Sequence, residues 1–347
     1  MISSHMKSLL KQFASPVLDR MGLYDRQLRA MPPDRWTIVM YHRVIDDPRD
    51  DPFRLGMCVT RAHFDEQLAF FRTQYTPIGM SDAVGRLRRG GPLPPRALSI
   101  TFDDGYLDNL EIALPVLKAH GLDAALFVPT GELDDDRPLW WDRVIRALDA
   151  TDASHVVPAE LGIPLPDARL SLGRFSRGKT VTCVLDALWT LEHDKVLDAI
   201  ARLERALPAR RAVAPVARRM NARQVREMHL AGVEIGAHSV RHSNLRLETP
   251  AVVRQEMLSS KRELEALCDA PIPGFAYPAG WKNADTESAA RECGFTYAVS
   301  TVSGLNAPGA DLYTLQRIGM PDTPVADLKR ALVSVVQRSG SRVHAQG

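Results

Sequence analysis

The feature that most constrains this chain is a regular alternation of two hydrophobic periods. Short apolar runs appear at "WTIVMYH" (36–42), "ALSITF" (97–102), "AALFVP" (124–129), "VEIGAH" (233–238), "GFAYP" (274–278) and "TYAVST" (296–301). Their length and their β-branched and aromatic content suit buried strands. Between them lie stretches with helical spacing. Residues 60–75 have Thr60 at the N-cap position and Phe64, Leu68 and Phe71 on one face. Residues 109–121 end at Gly121, with Pro115 expected to bend the helix. A further helix has Pro250 in its first turn, another closes at Gly294, and a last one is expected near 323–338. Successive strands joined by helices run parallel, because only a crossover returns the chain to the same end of a sheet. The expectation is therefore an α/β sheet or barrel with helices outside.

One stretch breaks the rhythm. Residues 132–222 show no clear strand and read as a mostly helical insertion. Within it, Arg202, Arg205, Arg210, Arg211, Arg218 and Arg219 form a basic run. Such a run is usually a solvated face, and its sharper reading is contact with a polyanion or lipid phosphate. Ahead of the barrel, residues 6–31 place Met6, Leu9, Leu10, Phe13, Val17 and Met21 at helical spacing, interrupted by Pro16. That segment reads as a helix packed on the domain or a weak membrane-surface anchor. The expected organisation is an N-terminal helical segment (1–35), a barrel (36–322) containing the insertion (132–222), and a C-terminal helix and tail (323–347).

The totals exclude several classes. Lysine and arginine number 44 against 42 acids, a net charge of +2, which gives no reason to expect nucleic acid as a partner. The four cysteines, at 58, 183, 268 and 293, include no C-x-x-C pair and suggest reduced, mostly buried thiols. No run of apolar residues is long enough to span a bilayer and no secretory leader stands out, so the expected location is cytoplasmic, either free or, on the anchor reading of the N-terminal segment, peripheral at the membrane.

The chemistry begins at "SITFDDGYLDNL" (99–110), where Asp103 and Asp104 end an apolar run and Gly105 follows. Asp-Gly is an ordinary turn signal. Two adjacent carboxylates, however, raise one another's pKa, and a divalent cation removes that conflict. A second stretch, "EIGAHSVRHSNL", puts His238 and His242 four residues apart just after another strand. Imidazole and carboxylate are good ligands for zinc or a similar ion. In parallel α/β folds functional groups gather at the C-terminal ends of strands, so one face can collect two histidines, one ligating aspartate and one aspartate free to accept a proton.

In this order, "TFDDG", "HSVRH" and "FAYPAG" resemble the polysaccharide deacetylases of carbohydrate esterase family 4, the NodB-homology domain. The likeness spans about residues 36–320 and leaves the N-terminal segment and the insertion unmatched. It implies a distorted (β/α) barrel of about seven parallel strands and metal-dependent removal of acetyl groups from sugars. It assigns Asp103 as general base and Asp104, His238 and His242 as ligands of one divalent ion, zinc by preference. The loop with Tyr277, Pro278 and Ala279 corresponds to a groove wall whose backbone amide, here that of Ala279, helps bind the oxyanion. Two family features have no counterpart at their usual place: the arginine that orients the base, which would fall near Ala276, and a late histidine acid, absent from "LQRIGMP" (315–321). The early "VMYHRV" (39–44) resembles the poly-N-acetylglucosamine deacetylase branch, where the acid comes from the first strand, and so assigns His42.

The expected substrate is an N-acetylated amino sugar of a polysaccharide, oligosaccharide or glycolipid. Its rivals are a deformylase or another amide hydrolase on the same barrel, or a catalytically silent glycan-binding module. Trp140 and Trp141, adjacent at the start of a helical stretch, point about 100° apart. Either one anchors in the core while the other meets the mouth and a sugar ring, or both pack as an anchor of the insertion.

Overall fold

The computed structural model describes residues 15–343, apart from 54, 132, 134–137, 167–168 and 214–216. Each apolar run is a strand: β1 Thr37–Tyr41, β2 Ala97–Asp103, β3 Ala125–Val128, β4 Glu234–Ala237, β5 Gly274–Ala276 and β6 Tyr297–Val299, with a short β7 at Ile318–Gly319. They pair in parallel in the order β6-β5-β4-β3-β2-β1-β7. The segment entering β7 closes the curl, because Leu315 bridges Val299 of β6 while Ile318 pairs with Val39 of β1. This is the distorted barrel of about seven parallel strands that the resemblance implied. Thr76–Pro77 adds a two-residue strand beside the start of β2.

The period of two along β2 decides what reaches the interior. Leu98, Ile100 and Phe102 point outward into the core beneath the helices. Ser99, Thr101 and Asp103 therefore point inward, and all three are buried. A smaller apolar cluster with Trp36, Ile38, Phe127, Tyr297 and Val299 fills the concave side below them.

The helices are α1 Leu23–Arg29, α2 Arg61–Gln74, α3 Met80–Arg88, α4 Leu114–His120, α5 Trp140–Ala150, α6 Arg177–Leu188, α7 His193–Ala206, α8 Ala222–Leu230, α9 Pro250–Cys268, α10 Ala284–Glu292 and α11 Val325–Val343. Sequence signals account for several ends. Asn221 with Gln224, and Asn283 with Thr286, form reciprocal caps at the starts of α8 and α10. Thr60 precedes α2 as expected, but its hydroxyl donates to Asp322 at 2.7 Å rather than capping the helix. Instead of a simple bend, a π-helical turn over Asn109–Ala113 leads into α4, and it leaves room for Pro115, which has no N–H to give.

The insertion has a hydrophobic core of its own, including Trp140, Trp141, Val144, Leu148, Val181, Val184, Leu188, Ile200 and Leu203. Besides its helices, the stretch 132–222 contains a two-residue antiparallel pair, His155–Val156 with Leu170–Ser171. Strands that short carry no alternation to detect. Before the barrel, residues 15–20 and α1 are helical, with Tyr24, Leu28 and Met31 buried. Lys329 of α11 pairs with Asp19 and Asp25 at 2.9 Å each. Val17 and Met21 are exposed, while Met6, Leu9, Leu10 and Phe13 lie outside the described residues. No described helix is long and apolar enough to cross a membrane. All four cysteines are free, and all but Cys183 are buried.

Candidate metal and acid–base site

Parallel register brings the strand ends level. Tyr41 pairs with Phe102, Asp103 with Phe127, Val128 with Ala237, and Ala237 with Phe275. The next residues along three of these strands, His42, Asp104 and His238, therefore meet at one end of the barrel.

Asp103 is the last residue of β2 and is 1% exposed. Arg317, fully buried between β6 and β1, grips it with two parallel bonds, Nη1 to Oδ1 at 2.7 Å and Nη2 to Oδ2 at 2.6 Å. The same guanidinium donates through Nε to the Ser300 carbonyl at 2.9 Å and through Nη1 to Thr101 Oγ1 at 3.2 Å. Burial pushes the Asp103 pKa up, but the charge and hydrogen bonds of Arg317 outweigh it and hold the carboxyl below its usual value. Asp103 is thus a fixed, ionised acceptor. Sequence reading looked for the orienting arginine near Ala276. The arginine that grips Asp103 comes instead from "LQRIGMP", where Arg317 stands between polar Gln316 and the short closing strand, and nothing local marks it.

Asp104 leaves the strand with φ 75° and Gly105 follows with φ 69°, so the chain turns sharply and Asp104 faces away from Arg317. Its Oδ1 lies 3.3 Å from His242 Nε2 and 3.5 Å from His238 Nε2, and the two imidazole nitrogens are 3.0 Å apart. His238 Nδ1 bonds the Ala276 carbonyl at 2.7 Å; a carbonyl only accepts, so Nδ1 carries the proton and Nε2 offers its lone pair to the site. Burial lowers the pKa of both histidines. For His238 the close Asp104 carboxylate reverses the sign, whereas for His242 the neighbouring His238 adds to the decrease. Burial likewise raises the pKa of Asp104, but the two histidines more than offset it and the carboxyl is held far below its usual range.

Four site residues other than glycine share left-handed backbone: Asp104, Ser239 (φ 63°), His242 (φ 51°) and Ala279 (φ 52°). Each such residue costs roughly 1 kcal/mol or more, and such strain concentrates where geometry serves function. Packing maintains it. At Gly280 (φ 72°) a Cβ would lie 2.1 Å from Thr301 Oγ1, so only glycine lets the turn sit against Thr301, whose hydroxyl donates to the Ala279 carbonyl at 3.0 Å.

The three donors suit a metal. Buried Asp104 Oδ1 has no hydrogen-bond donor, an expensive state for an anionic oxygen unless a cation serves it. Two facing Nε2 atoms, one of them a bare lone pair, also call for a shared electrophile. Ligand atoms about 2.0–2.2 Å from a tetrahedral zinc are about 3.3–3.6 Å from one another, close to the separations found here. Among the described residues this is the one group of three or more histidine, cysteine or carboxylate side chains close enough to hold an ion.

Above the donors lies a cleft of about 270 Å³. His42, Asp103, Asp104, His238, His242, Ala279 and Thr301 line its barrel side. Asn109 Nδ2 donates to the His42 carbonyl at 2.8 Å, so the π-helical turn steadies that strand end. Trp141, Ile145, Thr182, Leu185, Asp186 and Trp189 form the opposite wall, and Leu55 and Met57 also line the cleft.

Not every sequence-selected residue reaches the cleft. The Tyr277 ring is in the core between the sheet and the helices, with its hydroxyl on the Tyr313 carbonyl at 3.1 Å, and Pro278 is buried at the start of the turn that presents Ala279. Both tryptophans of the pair are 5% exposed. Trp140 donates to the His242 carbonyl at 3.4 Å, behind the cleft lining, whereas Trp141 packs on the His242 ring with centroids 4.4 Å apart and does line the cleft. Trp189 was missed, because nothing in its local sequence marks it; folding stacks it 6.3 Å from Trp141. Beneath this wall Trp141 Nε1 donates to the Tyr106 hydroxyl at 2.8 Å, which donates to Asp142 at 3.0 Å. Burial pushes the Asp142 carboxyl up to about 7.

Known proteins place these features in a class. Residues 90–154 and 176–298, more than half of the chain, match the family model for polysaccharide deacetylase, and the chain belongs to that family. Over 121 residues, 35% of the chain, it is 31% identical to the poly-β-1,6-N-acetyl-D-glucosamine N-deacetylase of Escherichia coli O157:H7; that alignment spans 17% of the relative's length. Among solved structures, Streptococcus pyogenes deacetylase PplD in complex with acetate superposes with a TM-score of 0.58 at 19% identity, covering 88% of this chain and 99% of the other. IcaB from Ammonifex degensii gives 0.55 at 17% identity, covering 88% and 97%. These two likenesses show the shared fold.

Proposed function

We propose that residues 36–322 carry a metal-dependent deacetylase that removes acetyl groups from N-acetylated amino sugars of a glycan or glycolipid. The observation that carries this reading is the division of labour between two adjacent aspartates. Asp103 is locked by Arg317 as an ionised acceptor, and Asp104 faces two histidines with an oxygen no donor serves.

Asp104, His238 and His242 would hold the ion, zinc by preference. Once bound, it would supply Lewis acidity at the acetyl carbonyl and make a nearby water a stronger acid. The chain's own residues do the rest. Asp103 takes the proton of the attacking water, and Arg317 keeps its two oxygens in position while compensating its charge. The turn at Pro278–Gly280 presents the backbone of Ala279 to the developing oxyanion. His42, on the next strand end, delivers a proton to the leaving nitrogen, without which an amine is a poor leaving group. Trp141 and Trp189 close the opposite side, where a sugar ring can lay its C–H face on indole.

The test is release of acetate from a panel of N-acetylated sugars and oligosaccharides, before and after chelation and after zinc is restored. Asp103→Asn is expected to keep bound metal and lose turnover, whereas Asp104→Asn loses the metal itself. Equal metal depletion in both variants would break the assignment. Release of formate from formylated sugars in place of acetate would move the protein to the deformylase class.

A further inference from the structure

The insertion carries a surface that the deacetylase reading does not use. Phe175 is 97% exposed, the highest value for any large apolar side chain among the described residues. It lies in the turn before α6, within residues 155–175, which the family model does not match. Exposed cations surround it in sequence: Arg169, Arg174 and Lys179. The Arg174 guanidinium sits over the Phe175 ring, 5.9 Å from its centroid.

Folding adds part of the basic run to the same corner. Arg177, two residues after Phe175, caps the end of α5 by donating to the carbonyls of Leu148, Asp149 and Thr151. The backbone N–H groups of Arg210 and Arg211 both reach the Ala150 carbonyl at 2.8 Å, and both side chains are exposed. Burial and the nearby Arg211 charge lower the Arg177 pKa, which agrees with this crowding of cations. The end of α5, the start of α6 and residues 210–211 thus form one corner.

That corner borders the cleft along two helices. Ile145 of α5 and Thr182 of α6 line the cleft, and each is five residues from the corner. At about 1.5 Å per helical residue the separation is about 7–8 Å.

We infer that this corner of the insertion docks on an anionic lipid surface, with Phe175 entering the headgroup region and Arg174, Lys179, Arg210 and Arg211 meeting lipid phosphates. The exposed aromatic is what favours a membrane over a soluble polyanion, since a polyanion gives a bare phenyl ring nothing to bury into. The inference stands apart from the deacetylase reading, because it is tested by binding rather than turnover.

The experiment is co-sedimentation of the full chain with vesicles of phosphatidylcholine containing 30% phosphatidylglycerol, compared with phosphatidylcholine alone. Wild type is expected to partition onto the anionic vesicles, less so as salt rises. Arg174→Glu with Lys179→Glu should lower partitioning at least about tenfold, since each basic residue near such a surface adds to the attraction and each glutamate opposes it. Phe175→Ser should lower it severalfold while leaving the melting temperature unchanged, since the ring packs on nothing that folding needs. Full binding by Phe175→Ser overturns the inference, as does equal binding of wild type to neutral and anionic vesicles. Loss of vesicle binding to competing heparin, with Phe175→Ser unchanged, would assign the patch to a soluble polyanion instead.

Discussion

The floor of the cleft comes from strand ends and its far wall from the insertion, and the two are built differently. The floor is a buried array of charge: a bidentate ion pair, a carboxylate beside two imidazoles, and four left-handed residues. Such groups are fixed from several directions at once, and removing one leaves another unpaired. The wall is mostly aromatic and aliphatic. Its tryptophans belong to a second hydrophobic core and are held by packing. A rigid polar floor suits chemistry that must not vary, while an apolar wall can be resized to fit a substrate. If that contrast is right, changes in the floor act on turnover and changes in the wall act on substrate preference.

The sharpest test, by effect on turnover, is His42→Ala. Losing a positioned acid costs about 10²–10⁴-fold in rate when the leaving group is an amine. The loss should shrink for an aryl acetate ester, whose leaving group needs no proton, and bound metal should be unchanged. Equal losses on amide and aryl ester would remove His42 from the acid role.

Arg317→Met probes the floor from beneath. It strands the Asp103 carboxylate inside the barrel, and breaking a buried pair this way costs about 3–5 kcal/mol of stability. A fall in kcat on the order of a hundredfold is expected, since Asp103 then lacks both orientation and compensation. Thermal melts and metal analysis separate the two effects: the melting temperature drops and the metal stays. The charge-preserving Arg317→Lys should recover part of the stability but little of the rate, because an ammonium cannot make the paired bond. Full recovery of rate by lysine would show that charge alone matters there.

The wall should respond more mildly. Trp189→Ala is expected to lower kcat/KM by roughly tenfold on oligosaccharide, the scale of removing one aromatic stacking partner, with a much smaller effect on a small aryl ester. A uniform loss across both substrates would place Trp189 with the catalytic floor and erase the contrast.

How much of this was legible beforehand follows the same division. Asp103, Asp104, His238 and His242 declare themselves because strand-end chemistry is local: the residue sits beside the apolar run that positions it. Arg317 did not, because its importance comes from a pairing across 214 positions of sequence, made only when the last strand closes the barrel. Ala279 was named from its loop, yet Tyr277, two residues before it, shares the face of Phe275 and turns outward into the core beneath the helices, away from the cleft. Trp189 and the Tyr106–Asp142 bond were invisible for the reason that hid Arg317. The insertion's helices were readable, but how they lean on the barrel is decided by packing between distant segments.

That hidden bond gives the prediction with the least effect on catalysis. Asp142 supports the wall from below, buried, with its pKa raised to about 7 chiefly by desolvation. Below about pH 4 the carboxyl is protonated in both the folded and unfolded chain. Between about pH 4 and 7 the unfolded chain releases its proton and the folded chain keeps it, so stability falls as pH rises, and above about 7 the whole penalty is present. An asparagine at this position would keep an oxygen to accept from the Tyr106 hydroxyl and carry no charge. Asp142→Asn is therefore expected to raise the melting temperature at pH 8, by an amount worth about 1–4 kcal/mol, with the gain fading toward pH 4. Turnover of a small acetylated substrate should change less than about twofold, because the side chain touches Tyr106 rather than the reacting atoms. Thermal melts of both proteins across that pH range decide it: a pH-independent difference would mean that the carboxyl is ionised in the fold and that the wall, like the floor, rests on a buried charge.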